Sequence, residues 1–187
     1  MTKNLLIEII EKLQKVCQKN RIKMALAGGI AVGAYAIPRA TYDVDGFILV
    51  SEDKMDLLLS SLIKQGFIYD KHKPIKIIQG KRFVTLLYSK YKMYIDLFVA
   101  EGDFQTGMLK RAKKVKFNKI KINIISPEDL ILLKLQAGRE RDVEDVRGII
   151  SENISRLNFN YLKRWSRKLG VDLFLKEELE SLGKDIG

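Results

Sequence analysis

The sequence predicts a mixed α/β fold, and three observations carry that prediction. Up to about residue 126, apolar residues switch repeatedly between helical and strand spacing. Two pairs of strand-like segments follow one another closely enough to form hairpins. Beyond residue 126 only helical patterns remain. We therefore expect an α/β core with a mixed β-sheet flanked by helices over residues 1–126, and a helical region over residues 127–187 that packs on it.

The core begins with helices and strands in alternation, in the order αβαβα up to Gly66. Apolar residues recur every three or four positions over residues 4–19, which predicts an amphipathic helix. The segment MALAG that follows predicts a short buried strand, and IAVGAYAI predicts a helix that ends near Pro38, because proline disrupts helices. The strand DVDGFILV begins at Asp43 and precedes a third helix.

Two predicted hairpins complete the core. The segments RFVTLLYS from Arg82 and KMYIDLFVA from Lys92 are rich in β-branched and aromatic residues, and a polar KYK turn separates them. A short helix is expected near Phe104. It is followed by a second pair of strands around a turn at Asn118 and Lys119.

The C-terminal part is predicted to be helical throughout. Ser126 is a candidate N-cap, with Pro127 at the first helical position and two acidic residues in the first turn. Interruptions are expected near residues that favour helix ends, namely Gly138, Asn158 and Gly170. The apolar residues of these helices are expected in the core, with a dimer contact as the alternative.

Composition narrows the class of protein. Lysine and arginine total 34 against 23 aspartate and glutamate residues, and the formal net charge of +11 favours an anionic partner such as a nucleotide or RNA. A solvated basic surface is the alternative. The single Cys17 excludes an intramolecular disulfide, and the single His72 excludes a multi-histidine metal site. No signal-peptide pattern or long apolar run is present, which predicts a cytoplasmic protein without a membrane partner.

Three aspartates lie in predicted strands, where an unpaired charge is costly. Asp43 and Asp45 are two residues apart and should share one face of their strand, while Asp96 interrupts a later strand. Adjacent carboxylates repel unless a cation lies between them, and oxygen ligands suit Mg²⁺ or Mn²⁺. Gly28 and Gly29 would let backbone N–H groups approach a phosphate. The combination predicts metal-assisted phosphoryl or nucleotidyl transfer; structural caps and ion pairs are the alternative.

These motifs resemble the nucleotidyltransferase superfamily typified by DNA polymerase β and the minimal nucleotidyltransferases. Within it, GGIAVGAYAIPRATYDVD and SPEDLILLKLQAGRERDVEDV look like the AbiEii-type toxin and related nucleotidyltransferase-like proteins, over residues 25–146. The resemblance implies transfer of a nucleoside monophosphate from an NTP to a hydroxyl of a nucleic acid, tRNA foremost, or of a protein. It also implies a Mg²⁺ or Mn²⁺ cofactor and an antitoxin-like partner. Transfer to a small molecule, as by antibiotic-modifying members, and a catalytically silent nucleotide- or RNA-binding module are the alternatives.

The resemblance also implies roles for matching residues. Asp96 would help to deprotonate the acceptor, and Gly28 and Gly29 would hold the triphosphate. One departure is Ile30, which stands where many members carry a phosphate-contacting serine. The catalytic residues and metal ligands would be the strand aspartates Asp43, Asp45 and Asp96.

Three further residues are candidate nucleotide contacts. Arg39 would offer a guanidinium group to a phosphate, and Thr41 a hydroxyl to the backbone turn. Lys134 resembles the basic residue that the family places near the triphosphate. The alternatives are an ion pair of Arg39 with Asp43 or Asp45, and a surface role for Lys134.

The run GRERDVEDVRG places Asp142 and Asp145 on one helix face, just after Arg139 and Arg141. In the family this block lies at the edge of the cleft. It either orients Lys134 or the nucleotide, or joins helices through ion pairs, and we favour the second role.

Two segments, residues 104–127 and 71–95, each carry seven lysine or arginine residues and no acid. Such clusters attract a phosphate backbone, although they also serve as solubilising charge. Aromatic residues are interleaved with them and would either stack on bases or pack in the sheet. These aromatic residues are Phe83, Tyr88, Tyr91, Tyr94 and Phe117.

Overall fold

A computed structural model describes residues 2–41, 43–72, 74–78, 80–117 and 119–184 and confirms the mixed α/β fold. The helices are α1 (Thr2–Lys19), α2 (Gly28–Tyr35), α3 (Glu52–Ile63), α4 (Gly102–Arg111), α5 (Pro127–Ala137), α6 (Glu140–Asn153), α7 (Phe159–Leu169) and α8 (Asp172–Ser181). The strands are β1 (Lys23–Leu26), β2 (Asp43–Leu49), β3 (Phe67–Ile68), β4 (Lys76–Ile78), β5 (Lys81–Tyr88), β6 (Met93–Val99), β7 (Lys113–Phe117) and β8 (Ile120–Ile124).

All described strands form one mixed sheet in the order β3-β5-β6-β2-β1-β8-β7, with β4 also paired to β5. The two predicted hairpins are confirmed, since β5 pairs antiparallel with β6 and β7 with β8. Position Asn118 of the second predicted turn lies outside the described residues. Strand β2 is central: it pairs antiparallel with β1 and parallel with β6. The parallel pair brings together two segments that are about 50 residues apart in the chain.

The short strands β3 and β4 were not predicted from the sequence. They contain two and three residues, which is too few to show a strand period. Both pair with β5, on the side away from β6. They therefore extend the sheet beyond the predicted hairpin and place additional side chains beside β5.

The amphipathic prediction for α1 is confirmed by its buried face. The side chains of Ile9, Ile10 and Leu13 are fully buried, and α1 contacts α3, β1 and β8. Burial of such apolar surface is the main stabilising contribution to a core of this kind.

Strands β2 and β6 alternate between a buried face and a face that carries the aspartates. On the second face, the rings of Phe47 and Phe98 stack with centroids 5.3 Å apart, next to Asp45 and Asp96 along the same strands. The residues of the first face are buried; they include Val44, Ile48, Ile95 and Leu97. Strand alternation thus presents the carboxylates away from this apolar layer.

The chain forms two compact units. The first comprises Met1–Ile30 and Ala40–Ile124, and the second comprises Ala31–Arg39 and Ile125–Gly187. The domain boundary expected at residue 126 stays a prediction. No helix in the described ranges is both long and apolar enough to cross a membrane.

The helix ends predicted for the second unit are present. The Ser126 hydroxyl accepts a hydrogen bond from the Asp129 N–H at 3.2 Å, with proline at the first helical position of α5. Helix α5 ends at Gly138 and α7 at Gly170, both with positive φ. Helix α7 begins after Asn158, whose side chain caps it.

Candidate active site

The parallel pairing of β2 with β6 places Asp45 and Asp96 opposite one another. The two residues are partners in the register, and Asp43 is the partner of Tyr94. Paired strands lie about 4.8 Å apart, and residues opposite each other point to the same face. Asp45 and Asp96, which the sequence placed on separate strands, are therefore neighbours in the sheet.

The start of helix α2 packs directly against Asp45. Gly28 is the first residue of this helix and has a φ of +56°. A Cβ atom at this position would overlap the Asp45 Oδ2 atom and lie 2.8 Å from its Cγ. A Cβ atom at Gly29 would lie 2.7 Å from the Thr41 Oγ1 atom. Only glycine allows the backbone to come this close to the carboxylate and the hydroxyl.

Thr41 is tied to the first aspartate. Its Oγ1 donates a hydrogen bond to the Asp43 Oδ1 atom at 2.8 Å and lies 3.3 Å from the carbonyl oxygen of the same residue. Asp43 itself is exposed. The threonine hydroxyl therefore orients an aspartate side chain that solvent or a ligand can reach.

Asp96 carries a carboxylate oxygen whose partner is missing among the described residues. The Oδ1 atom is buried and has no hydrogen-bond partner there. A buried acceptor without a partner costs about 1–3 kcal/mol. Such a cost is typical of a functional group that meets its partner only when a ligand is bound.

The donor chemistry of this face suits a hard divalent cation, because all the candidate ligands are carboxylate oxygens. Across the described part of the chain, however, no group of three or more His, Cys, Asp or Glu side chains is arranged to hold a metal ion. The orphaned Asp96 oxygen and the glycine contact at Asp45 fit an ionic ligand. Convergence of Asp43, Asp45 and Asp96 on one metal stays a prediction.

Lys134 and Arg39 belong to an ion-pair network in the second unit. Lys134, 6% exposed, donates to the Asp142 Oδ1 atom at 2.8 Å and to the Asp145 Oδ2 atom at 2.6 Å. Arg39 donates through Nε and Nη2 to both oxygens of Asp145, each at 2.8 Å. Arg139 donates to the Asp142 Oδ2 atom at 2.7 Å. Lys134 is therefore buried and does not have the surface role that was its alternative. Arg39 does form an ion pair with an aspartate, but that aspartate is Asp145 and not Asp43 or Asp45 of the strand motif.

This network joins elements of the second unit through ion pairs, which is the role that the sequence favoured for the run GRERDVEDVRG. Burial would raise the pKa of Asp142, but hydrogen bonds from Arg139 and Lys134 outweigh it and hold that pKa below the usual value. Burial would likewise raise the pKa of Asp145, but hydrogen bonds from Arg39 and Lys134 hold it below the usual value. Both carboxylates are therefore ionised near neutral pH. The nucleotide-binding roles of Arg39 and Lys134 stay predictions.

Lys76 is a basic residue beside this face that the sequence did not single out. Its Nζ donates to the Thr85 Oγ1 atom at 3.3 Å, and Thr85 is the register partner of Asp96 in β5. The available signal was its membership of the acid-free basic segment. That signal was weak, because nothing in the sequence indicated that β4 would pair with β5.

A family described as "Nucleotidyl transferase of unknown function (DUF2204)" matches residues 6–186 of the chain. No curated protein matches the chain.

Several solved structures resemble the chain in fold. The antibiotic-resistance factor ANT(2″)-Ia is 10% identical, with a TM-score of 0.62 over 98% of this chain and 97% of its own. An antigenic nucleotidyltransferase-like protein from Paracoccidioides brasiliensis is 22% identical, with a TM-score of 0.56 over 97% and 90%. The lincosamide antibiotic adenylyltransferase LnuA is 17% identical, with a TM-score of 0.52 over 81% and 96%. At these identities the comparison shows a shared fold.

Proposed function

The chain belongs to this family of nucleotidyl transferases, and from that premise we propose that it transfers a nucleoside monophosphate from an NTP to a hydroxyl of a nucleic acid, with tRNA as the leading candidate, or of a protein. The observation that carries the proposal is the pairing of Asp45 with Asp96, whose Oδ1 atom is buried without a partner among the described residues. Gly28 adds a helix start that packs on Asp45.

In the proposed reaction, the acceptor hydroxyl oxygen bonds to the α-phosphorus of the NTP. The bond from that phosphorus to the oxygen bridging to the β-phosphate breaks, and pyrophosphate leaves. Asp96 takes the hydroxyl proton, because its unpaired oxygen is available as an acceptor. Gly28 and Gly29 begin α2, and the N–H groups of a helix start favour the negative charge of a triphosphate.

We propose Mg²⁺ or Mn²⁺ as the cofactor, held by Asp43, Asp45 and Asp96. Bound there, the cation would neutralise charge on the phosphate oxygens and lower the pKa of the acceptor hydroxyl. Asp45 and Asp96 would reach it from neighbouring strands, and Thr41 holds Asp43 in orientation through the 2.8 Å hydrogen bond.

Arg39 and Lys134 are proposed to act on the nucleotide through charge. Together with Arg139 they supply three positive charges against the two negative charges of Asp142 and Asp145. The guanidinium and ammonium groups of these residues favour an anionic phosphate. The ion pairs hold the side chains of Arg39 and Lys134 in place, so a bound phosphate would share these two cations with Asp142 and Asp145.

The finer assignment is an AbiEii-like toxin that acts in the cytoplasm and is held by an antitoxin-like partner. It is supported by the resemblance of the segments around Gly28 and Asp142. The net charge of +11 agrees with a nucleic-acid acceptor and with an acidic protein partner.

The test is transfer by the whole chain in the presence of Mg²⁺ and each of the four NTPs in turn. Purified tRNA, total RNA, candidate protein acceptors and small hydroxylated molecules are analysed by mass spectrometry for an AMP, CMP, GMP or UMP adduct. Asp45→Ala should reduce transfer at least about a hundredfold, with an unchanged thermal unfolding midpoint. The matched control is Asp56→Asn, an exposed aspartate of α3, which should transfer normally.

Each alternative has its own result in this experiment. Full activity of Asp45→Ala would contradict the proposed site. Calorimetry that shows Mg²⁺ and NTP binding without turnover on any acceptor would indicate a silent binding module. An adduct found only on a small hydroxylated molecule would indicate an enzyme of the antibiotic-modifying class.

A further inference from the structure

A pocket in the first unit opens on the face of the sheet that carries Asp96. It has a volume of about 350 Å³ and is formed where β3, β4 and the segment between them meet β5 and β6. Thr85, which lines the pocket, is the register partner of Asp96. A group bound in the pocket would therefore lie next to the residue proposed to accept the hydroxyl proton.

The walls of the pocket suit a planar ring. Tyr94 lines it from β6, lies two residues before Asp96 and so points to the same face of the sheet. Its side chain is 59% exposed, which is unusual for a large aromatic residue on a central strand. Tyr69, Ile68 and Leu87 add further apolar surface. The volume is at the lower end of the range of small-ligand sites, so the pocket accommodates about one nucleotide and not a folded chain.

The pocket also contains a cation that contacts the register partner of Asp96. Lys76 lines it and donates to Thr85 Oγ1 at 3.3 Å. Among the described residues of the lining, the one carboxylate is that of Asp70, which is exposed and accepts a hydrogen bond from the backbone N–H of His72. The surrounding residues 71–95 carry seven basic residues and no acid. A ligand with both a planar ring and a negative charge fits this lining best.

We propose that this pocket binds the 3′-terminal nucleotide of a single-stranded RNA acceptor. The base stacks on Tyr94, the phosphate pairs with Lys76, and the ribose hydroxyl lies toward Asp96. Stacking on an aromatic ring tolerates any base, and the lysine recognises the backbone. The inference rests on the proposed nucleotidyl transfer and adds the residues that select the acceptor.

The experiment measures RNA binding without NTP, by fluorescence anisotropy of a 5′-labelled, ten-nucleotide single-stranded RNA. Tyr94→Leu and Lys76→Met should each weaken binding about tenfold. Their matched controls are Phe174→Leu, at an exposed aromatic residue of α8, and Lys64→Met, at the exposed end of α3. Both controls should bind as the wild type does.

A second RNA, whose 3′-terminal residue lacks its base, isolates the stacking contact. Removing this base should weaken binding to the wild type about tenfold and should have little further effect on Tyr94→Leu. This non-additivity is expected only if the base and the tyrosine are in contact. Thermal unfolding of each variant checks that the fold is intact.

The outcomes separate the pocket from the reaction. Unchanged RNA binding by both pocket variants would overturn the pocket assignment, even if the wild type transfers a nucleotide to RNA. The labelled RNA can also be displaced by unlabelled competitors. If a tyrosine-containing peptide or a small hydroxylated molecule displaced it at a lower concentration than unlabelled RNA does, the choice of acceptor would be overturned. RNA binding that depends on Tyr94 and Lys76, without nucleotide transfer, would support the pocket and contradict the proposed function.

Discussion

The Gly28→Ala substitution tests the packing of α2 on the candidate site. Gly28 has a φ of +56°, and a left-handed conformation costs an L-residue about 1–2 kcal/mol. The new Cβ would also overlap the Asp45 carboxylate and lie 2.9 Å from its Cβ atom, so the whole side chain must move. Overpacking of this kind costs about 1–3 kcal/mol. We therefore expect a total loss of about 2–5 kcal/mol in the free energy of unfolding.

The matched control is Gly102→Ala. Gly102 is the first residue of α4, with a φ of +66°, and nothing lies within 4 Å of the position that its Cβ would take. This variant should lose only the conformational contribution of about 1–2 kcal/mol. The excess for Gly28→Ala, about 1–3 kcal/mol, isolates the contact with Asp45.

Urea unfolding followed by circular dichroism measures both losses, and an Asp45→Ala background completes a double-mutant cycle. Without the Asp45 carboxylate, most of the excess for Gly28→Ala should disappear. Equal losses for the two glycine variants, or an excess that the Asp45→Ala background leaves unchanged, would refute the close packing of helix start and carboxylate.

Three further predictions concern the buried polar groups. Lys134→Met removes a cation from two buried carboxylates and should lower the free energy of unfolding by about 3–5 kcal/mol. Lys176→Met, the control at an exposed ion pair, should lower it by at most about 1 kcal/mol. Equal losses for the two variants would contradict the buried network. The lowered pKa values of Asp142 and Asp145 predict that their contribution to stability is complete above the unfolded pKa of about 4 and is lost as the pH falls through the lower folded pKa. Thermal unfolding between pH 6 and pH 2 should therefore show a smaller acid dependence in Asp145→Asn than in the wild type. Burial raises the pKa of the Cys17 thiol to about 12, so thiol labelling at pH 8 should be slow in the folded protein and fast in urea; equal rates would show that the thiol is accessible.

Local sequence patterns determined most of the elements. The period of the apolar residues indicated α1, and Ser126, Pro127 and Gly138 indicated where α5 begins and ends. These features depend on residues within a few positions of one another, which is why the sequence contains them. The choice of Asp43, Asp45 and Asp96 as candidates also came from local evidence, because a charged residue inside an apolar strand is costly wherever the strand lies.

The tertiary structure decided which of these residues meet. Asp45 faces Asp96 only because β2 pairs in parallel with a strand about 50 residues later. Lys76 reaches Thr85, the register partner of Asp96, only because the three-residue strand β4 pairs with β5. Lys134 likewise reached its two aspartates through the packing of α5 on α6. Such contacts depend on long-range pairing and burial. Local periodicity specifies the elements and their faces, but it carries no information about the distant partner that each charge will meet.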